Sequence, residues 1–194
     1  MTTIALGAGF SPLNPQARSL RWQIAAVLIG TALLAFSSRI TVPMLPVPMT
    51  MQTFAVTLIG ALYGWRLGAI TVLAWLAEGA MGLPVLANGA GGLAPFFGPT
   101  AGYLVAFVAA AALCGLLAER GWNGRSLPLA FAAMLIGNLV CLVGGGLWLT
   151  WLIGAQKALA VGVLPFVPGA VLKSALAASL LALWARRGAT RSGA

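Results

Sequence analysis

Polar positions interrupt this chain so rarely that its apolar runs are the natural punctuation. Six of them are legible, at roughly residues 22–38, 49–65, 67–83, 100–118, 127–153 and 164–185. Most approach the ~20 residues that an α-helix needs to cross about 30 Å of hydrocarbon, while the second and third are short and interrupted by glycine. The pattern predicts six membrane-crossing helices, which return both termini to one side. Two connections stand out. The first, residues 39–54, carries Pro43, Pro46 and Pro48, so it cannot start as a helix and is expected to be a stiff extended loop. The second, residues 82–102, mixes many glycines with three prolines and with Phe96 and Phe97. Its glycines allow close backbone approach and its aromatics supply apolar surface. The two loops are expected to fold over the outer mouth of the bundle; the competing reading is plain helix-to-helix connection.

Composition supports the same class. Hydrophobic residues make up 61% of the 194 and charged residues 7%, and the mean hydropathy is +1.01, whereas soluble domains carry about a quarter charged residues. The chain reads as an all-α integral membrane protein, with a tail at residues 1–19, a transmembrane unit at 20–187 and a basic tail at 188–194. The first residues have no basic stretch and are broken by Pro12 and Pro15, which reads as a tail and not as a cleaved signal peptide. Histidine and aspartate are absent, Glu78 and Glu119 are the only acids, and Cys114 and Cys141 stand apart from other metal ligands. That argues against a protein-built metal site, a carboxylate dyad or a His-assisted nucleophile. Both cysteines lie in apolar runs and read as small buried hydrophobes, not as a disulfide.

Charge then orients the bundle. With a cytoplasmic N-terminus, Arg18, Arg21, Arg66, Arg120, Arg125, Arg186, Arg187 and Arg191 fall inside, and only Arg39 and Lys157 fall outside. This positive-inside bias accounts for the net charge of +9. Nucleic acid is not expected as a partner, because no aromatic-rich polar surface accompanies the basic residues.

Lys173 breaks the last apolar run. It lies thirteen residues before Arg186, about 20 Å along a helix, and a charge at that depth costs several kcal/mol (roughly) unless it is paired or solvated. Glu78, twelve residues from Arg66, is at about 18 Å by the same rise. A Lys173–Glu78 ion pair joining the third and sixth spans is therefore one reading, and direct contact of Lys173 with an anionic ligand is the other. Small residues recur every four positions at Gly102, Ala106, Ala110 and Cys114, and again at Ala170, Ser174, Ala178 and Ala182, as expected for helices packing closely in lipid.

Three segments carry a resemblance: VPMTMQTFAVTLIGALYG at 47–64, GAMGLPVLANGAGGLAPFFGPTAGYLVAF at 79–107 and PFVPGAVLKSALAA at 165–178. In that order they resemble the BioY family, the biotin-binding substrate components (S components) of energy-coupling factor transporters. The resemblance implies a multi-pass protein of the bacterial inner membrane that captures biotin from outside, energised by a membrane coupling protein and two ABC-type ATPases. It matches the family's lysine to Lys173 and the polar position of the Gly-rich loop to Asn88. The family carries an acid shortly before the lysine; here Pro168-Gly169 is followed by Ala170, which removes one expected ligand contact. It also implies a docking face on the first helix, for which Ala26-x-x-x-Gly30 is a candidate, with packing inside the bundle as the alternative.

Biotin presents a carboxylate, a neutral ureido group and an apolar bicycle with a thioether, so its pocket needs a cation or strong donor, amide or hydroxyl partners and aromatic walls. Lys173, Asn88, Gln52, Thr50, Tyr103, Phe54 and Trp75 offer those types, with Glu78 as a further candidate. Each has a plainer reading. Asn88 can support a turn with positive φ beside Gly89, Gln52 and Thr50 can cap the second helix, and the aromatics can pack or anchor at the interface. The chain has no Walker motif and is read as a binding and translocation subunit without a cofactor, not as an ATPase. The other functions weighed are an S component for another vitamin and a small intramembrane enzyme, the latter disfavoured by the missing His and Asp. A second copy of the chain is kept as a candidate partner.

Overall fold

A computed structural model describes residues 19–191, with side chains through Arg186. The helices are α1 (Leu20–Ser37), α2 (Gln52–Tyr63), α3 (Trp65–Ala80), α4 (Ala101–Glu119), α5 (Leu127–Ile153), the single turn α6 (Ala155–Ala158) that runs into a π-helical turn at Leu159–Val163, and α7 (Phe166–Arg191). Since α7 continues through Arg191, no break separates residues 188–191 from the bundle. Of the expected tails at 1–19 and 188–194, residues 1–18, Arg18 among them, and 192–194 lie outside the described residues. Between α1 and α2 the Pro-rich loop forms a small antiparallel ribbon, β1 (Thr41–Val42) and β2 (Met49–Thr50), with Thr41 opposite Thr50. This pair is the one departure from an all-α description among the described residues.

Local chemistry explains the breaks. Gly64 adopts φ +80°, which only glycine takes cheaply, and so divides α2 from α3 without a loop. The first amide of α3, Trp65 N, donates 3.1 Å to Glu119 Oε1 at the end of α4, a carboxylate at a positive helix terminus. Gly154, with φ +85°, ends α5 in the same way. Pro128 sits in the first turn of α5, where its missing N–H costs nothing.

By length and composition, α1, α4, α5 and α7 can cross a membrane. The expected count of six is not reached on that ground, because α2 has 12 residues and α3 has 16, rising about 18 and 24 Å. The short α2 is the interior element: every residue from Ala55 to Tyr63 is buried, as befits a helix that is apolar all round. It packs on α4, which also meets α3 and α5, while α1 covers α3 and α7 lies against α5 and α2.

The small-residue ridges sit at these contacts. Ala106, Ala110 and Cys114 are buried on α4, and a Cβ placed on Gly144 would come within 2.6 Å of Ala106 Cβ. On α7, Ala170, Ser174 and Ala178 are buried. Cys114 and Cys141 are buried free thiols. Gly30 is also internal: a Cβ there would lie 2.5 Å from Thr71 Cγ2 and 3.2 Å from Tyr63. Gly30 is thus not open to a partner, and the docking reading of Ala26-x-x-x-Gly30 is corrected to helix packing at that position.

Gly30→Leu should therefore overpack the α1–α3 seam and lower the stability of the isolated protein by about 1–3 kcal/mol. Thermal unfolding in detergent checks this, and an unchanged midpoint would return Gly30 to the outer surface.

Candidate functional site

At the end of the bundle that carries the ribbon and the Gly-rich loop there is a cavity of about 270 Å³, the lower edge of the roughly 300–1,000 Å³ usual for small-molecule sites. Both loops contribute to its wall, through Val47 and Pro48 on one side and Leu86, Asn88 and Pro95 on the other. The rest comes from the starts of α2, α4 and α7 and from the middle of α5.

Lys173 lines this cavity. Its Nζ donates to the Thr50 carbonyl at 2.6 Å and to Thr53 Oγ1 at 3.2 Å, so its resting partners are a strand-end carbonyl and a hydroxyl, and not Glu78. An ammonium has three donors. Thr50 does more than accept: its hydroxyl donates to Gln52 Oε1 at 2.9 Å and receives the Gln52 N–H at 3.2 Å. The second bond satisfies one of the free amides at the start of α2, so Thr50 both caps and lines. The first turns the Gln52 amide, whose Nε2 is left buried without a hydrogen-bond partner among the described residues.

The remaining expected residues divide. Asn88 takes φ +57° in the short 3₁₀ turn Ala87–Gly89 and also lines the cavity, so its turn-forming and lining readings coexist. Tyr103 lines it too, with its hydroxyl donated to Gly162 O at 2.5 Å and its ring centroid 6.3 Å from that of Phe166. Phe54, Trp75 and Glu78 are not in the wall. Phe54 packs against the core, and Glu78 is half-buried on α3. Trp75 is fully buried; its Nε1 donates 3.1 Å to Val85 O, the same carbonyl that accepts Ser38 Oγ at 2.5 Å. Arg39 Nη2 adds a bond to Pro84 O at 2.6 Å. Trp75 thus braces the segment that leads into the cavity wall at Leu86.

Among the lining residues that the sequence reading did not name are Thr53, Phe107, Phe166 and Asn138. Thr53 adjoins Gln52, and Phe166 opens α7. Asn138 was the more legible, being an amide midway along the longest apolar run, where a polar side chain in a membrane helix marks function or a buried partner.

The BioY family profile matches residues 13–190. The chain belongs to the BioY family. Among curated relatives of this BioY protein, the probable biotin transporter BioY of Pyrococcus horikoshii is 37% identical over 155 residues, covering 80% of this chain and 91% of that one. The biotin transporter BioY of Rhizobium etli is 40% identical over 166 residues, covering 80% and 86%. In three dimensions the chain is similar to the crystal structure of the S-component for biotin from an ECF-type ABC transporter, with TM-score 0.77 and 26% identity over 88% of this chain and 95% of that one. As a BioY protein with several apolar helices it is a multi-pass protein of the cell membrane.

Because Lys173 rests on Thr50 and Thr53, Glu78→Gln should leave stability within about 0.5 kcal/mol of wild type. A marked drop in the unfolding midpoint of the ligand-free protein would restore the ion-pair reading.

Proposed function

We propose that this chain is the biotin-binding S component of an energy-coupling factor transporter, a binding and translocation subunit and not an enzyme. The observation that carries the reading is the ammonium of Lys173 in the wall of a largely apolar cavity, held by two neutral acceptors. Two of its three donors are engaged, and the third is available to a ligand carboxylate. Gln52 Nε2, buried and unpartnered among the described residues, offers a second donor nearby in the wall. Tyr103, Phe107 and Phe166 give the cavity the aromatic surface that an apolar bicycle needs. The family and the biotin transporters among its relatives point to the same ligand.

In this reading α1, α2, α3, α4, α5 and α7 make six passages, with the short α2 shielded by its neighbours and α3 half-exposed. Arg21, Arg66, Arg120, Arg125 and Arg186 gather at the cytoplasmic end, and the cavity lies toward the opposite, outer end, where the loop after α1 carries Arg39. Energy comes from a coupling protein and two ABC-type ATPases, since the chain contains no nucleotide-binding motif.

Lys173→Met keeps the stem and removes the charge. Biotin affinity should fall about ten- to a hundredfold, as for loss of one charge-assisted hydrogen bond; isothermal titration of the folded variant checks it, and wild-type affinity would refute the ligand role. Co-expression with a coupling protein and its ATPases should give ATP-dependent uptake of labelled biotin in vesicles. Purified protein that binds no biotin would overturn the reading as a whole.

A further inference from the structure

Asn138 lies in the middle of α5, is 2% exposed and lines the cavity. Its amide cannot rotate freely. Nδ2 donates 3.0 Å to Met134 O and 3.1 Å to Ser174 Oγ. Met134 O can only accept, and the single proton of Ser174 Oγ is already donated to Ala170 O at 2.7 Å, so the amide atom facing both must be the nitrogen. The orientation is set by chemistry on two sides, which leaves Oδ1 as the free end. No described residue donates to that oxygen.

The other polar groups in the wall are committed differently. Lys173 and Gln52 Nε2 are donors. Gln52 Oε1 already accepts the Thr50 hydroxyl, and the Tyr103 hydroxyl is donated to Gly162 O. Ala170, one turn before Ser174 on α7 and also in the wall, contributes no polar side chain. Thr53 Oγ1 accepts the lysine, the Thr100 hydroxyl is donated to Pro95 O, and the Asn88 amide in the wall is exposed. The cavity therefore has donors suited to an anion, and Asn138 Oδ1 is, among the described residues, its one buried side-chain carbonyl with both lone pairs open.

We propose that Asn138 Oδ1 is the acceptor that recognises a ureido N–H of the ligand, with Met134 O and Ser174 as the groups that hold it in place. This rests on the biotin reading above and deepens it: Lys173 and Gln52 take the anionic end, and Asn138 takes the cyclic urea. A urea buried against α5 loses water at its N–H groups, and only an acceptor in the wall replaces it. Ser174 is a positioning residue, acting through the Asn138 amide.

The test is titration of the purified full-length protein with biotin and with biotinamide, which keeps the urea and lacks the carboxylate. Asn138→Leu should lower affinity for both ligands by the same factor, about ten- to a hundredfold, whereas Lys173→Met should weaken biotin far more than biotinamide. Ala170→Asp added to Asn138→Leu puts a carboxylate acceptor into the same wall and should recover part of the lost biotin affinity. Where Asn138→Leu does not yield folded protein, Asn138→Ala is read in its place, with the same expectation. Unchanged biotin affinity in a folded Asn138 variant, while the wild type binds biotin, overturns the assignment of Asn138 alone. A loss confined to biotin and absent with biotinamide overturns it as well, by moving Asn138 to the carboxylate end. A wild-type protein that binds no biotin overturns both this assignment and the function it rests on.

Discussion

The ammonium of Lys173, bound to the carbonyl of Thr50 and the hydroxyl of Thr53, is the contact on which the site depends. In an apolar medium a cation needs strong acceptors close at hand, and a main-chain carbonyl at the strand-to-helix junction supplies one without adding an opposing charge. That choice ties α7 to the junction of β2 and α2. It also leaves the positive charge uncancelled by any carboxylate partner among the described residues, which is the electrostatic condition for taking up an anion. Thr50 carries the second half of the arrangement, because its hydroxyl turns the Gln52 amide while its carbonyl holds the lysine.

Close packing makes this placement possible. A central α2, buried from Ala55 to Tyr63, can sit inside the bundle only because its neighbours approach closely. A Cβ on Gly60 would overlap the backbone of Ala111, and one on Gly137 would come within 2.8 Å of Thr57 Cγ2 and collide with Cys114. In lipid, where apolar burial alone gives helices little reason to associate, such contacts carry the packing energy. The result is a rigid floor from which Lys173, Gln52 and Asn138 project.

The upper wall is held by hydrogen bonds. Val85 O accepts from both Ser38 and Trp75, using both lone pairs, and Arg39 fixes the neighbouring carbonyl of Pro84. The Gly-rich segment is thereby pinned to the end of α1 and to α3 before it reaches the cavity at Leu86. A wall ordered in advance lowers the entropy lost on binding.

The linear order of residues determined the class, because the near absence of charge and the length of the apolar runs leave no other medium for this chain. Helix positions followed largely from the same runs; Lys173 was legible as a charge deep in an apolar run, whereas Thr50, Gln52, Asn88 and Tyr103 were legible only as residue types suited to the ligand that the family resemblance implied. What the order could not show is which of two equal depths are neighbours. Lys173 and Glu78 match in depth along their helices, yet the angle at which each helix presents its side chain puts Thr50 and Thr53 beside the lysine instead. Trp75 and Phe54 had the chemistry of pocket walls, and helix rotation turned them into supports. Asn138 was visible as an amide in an apolar run, but only the bonds from Nδ2 to Met134 and Ser174 decide that its oxygen is the free end. Depth is a one-dimensional property that spacing encodes; azimuth and hydrogen-bond direction arise from packing, and those decide which side chains line the cavity.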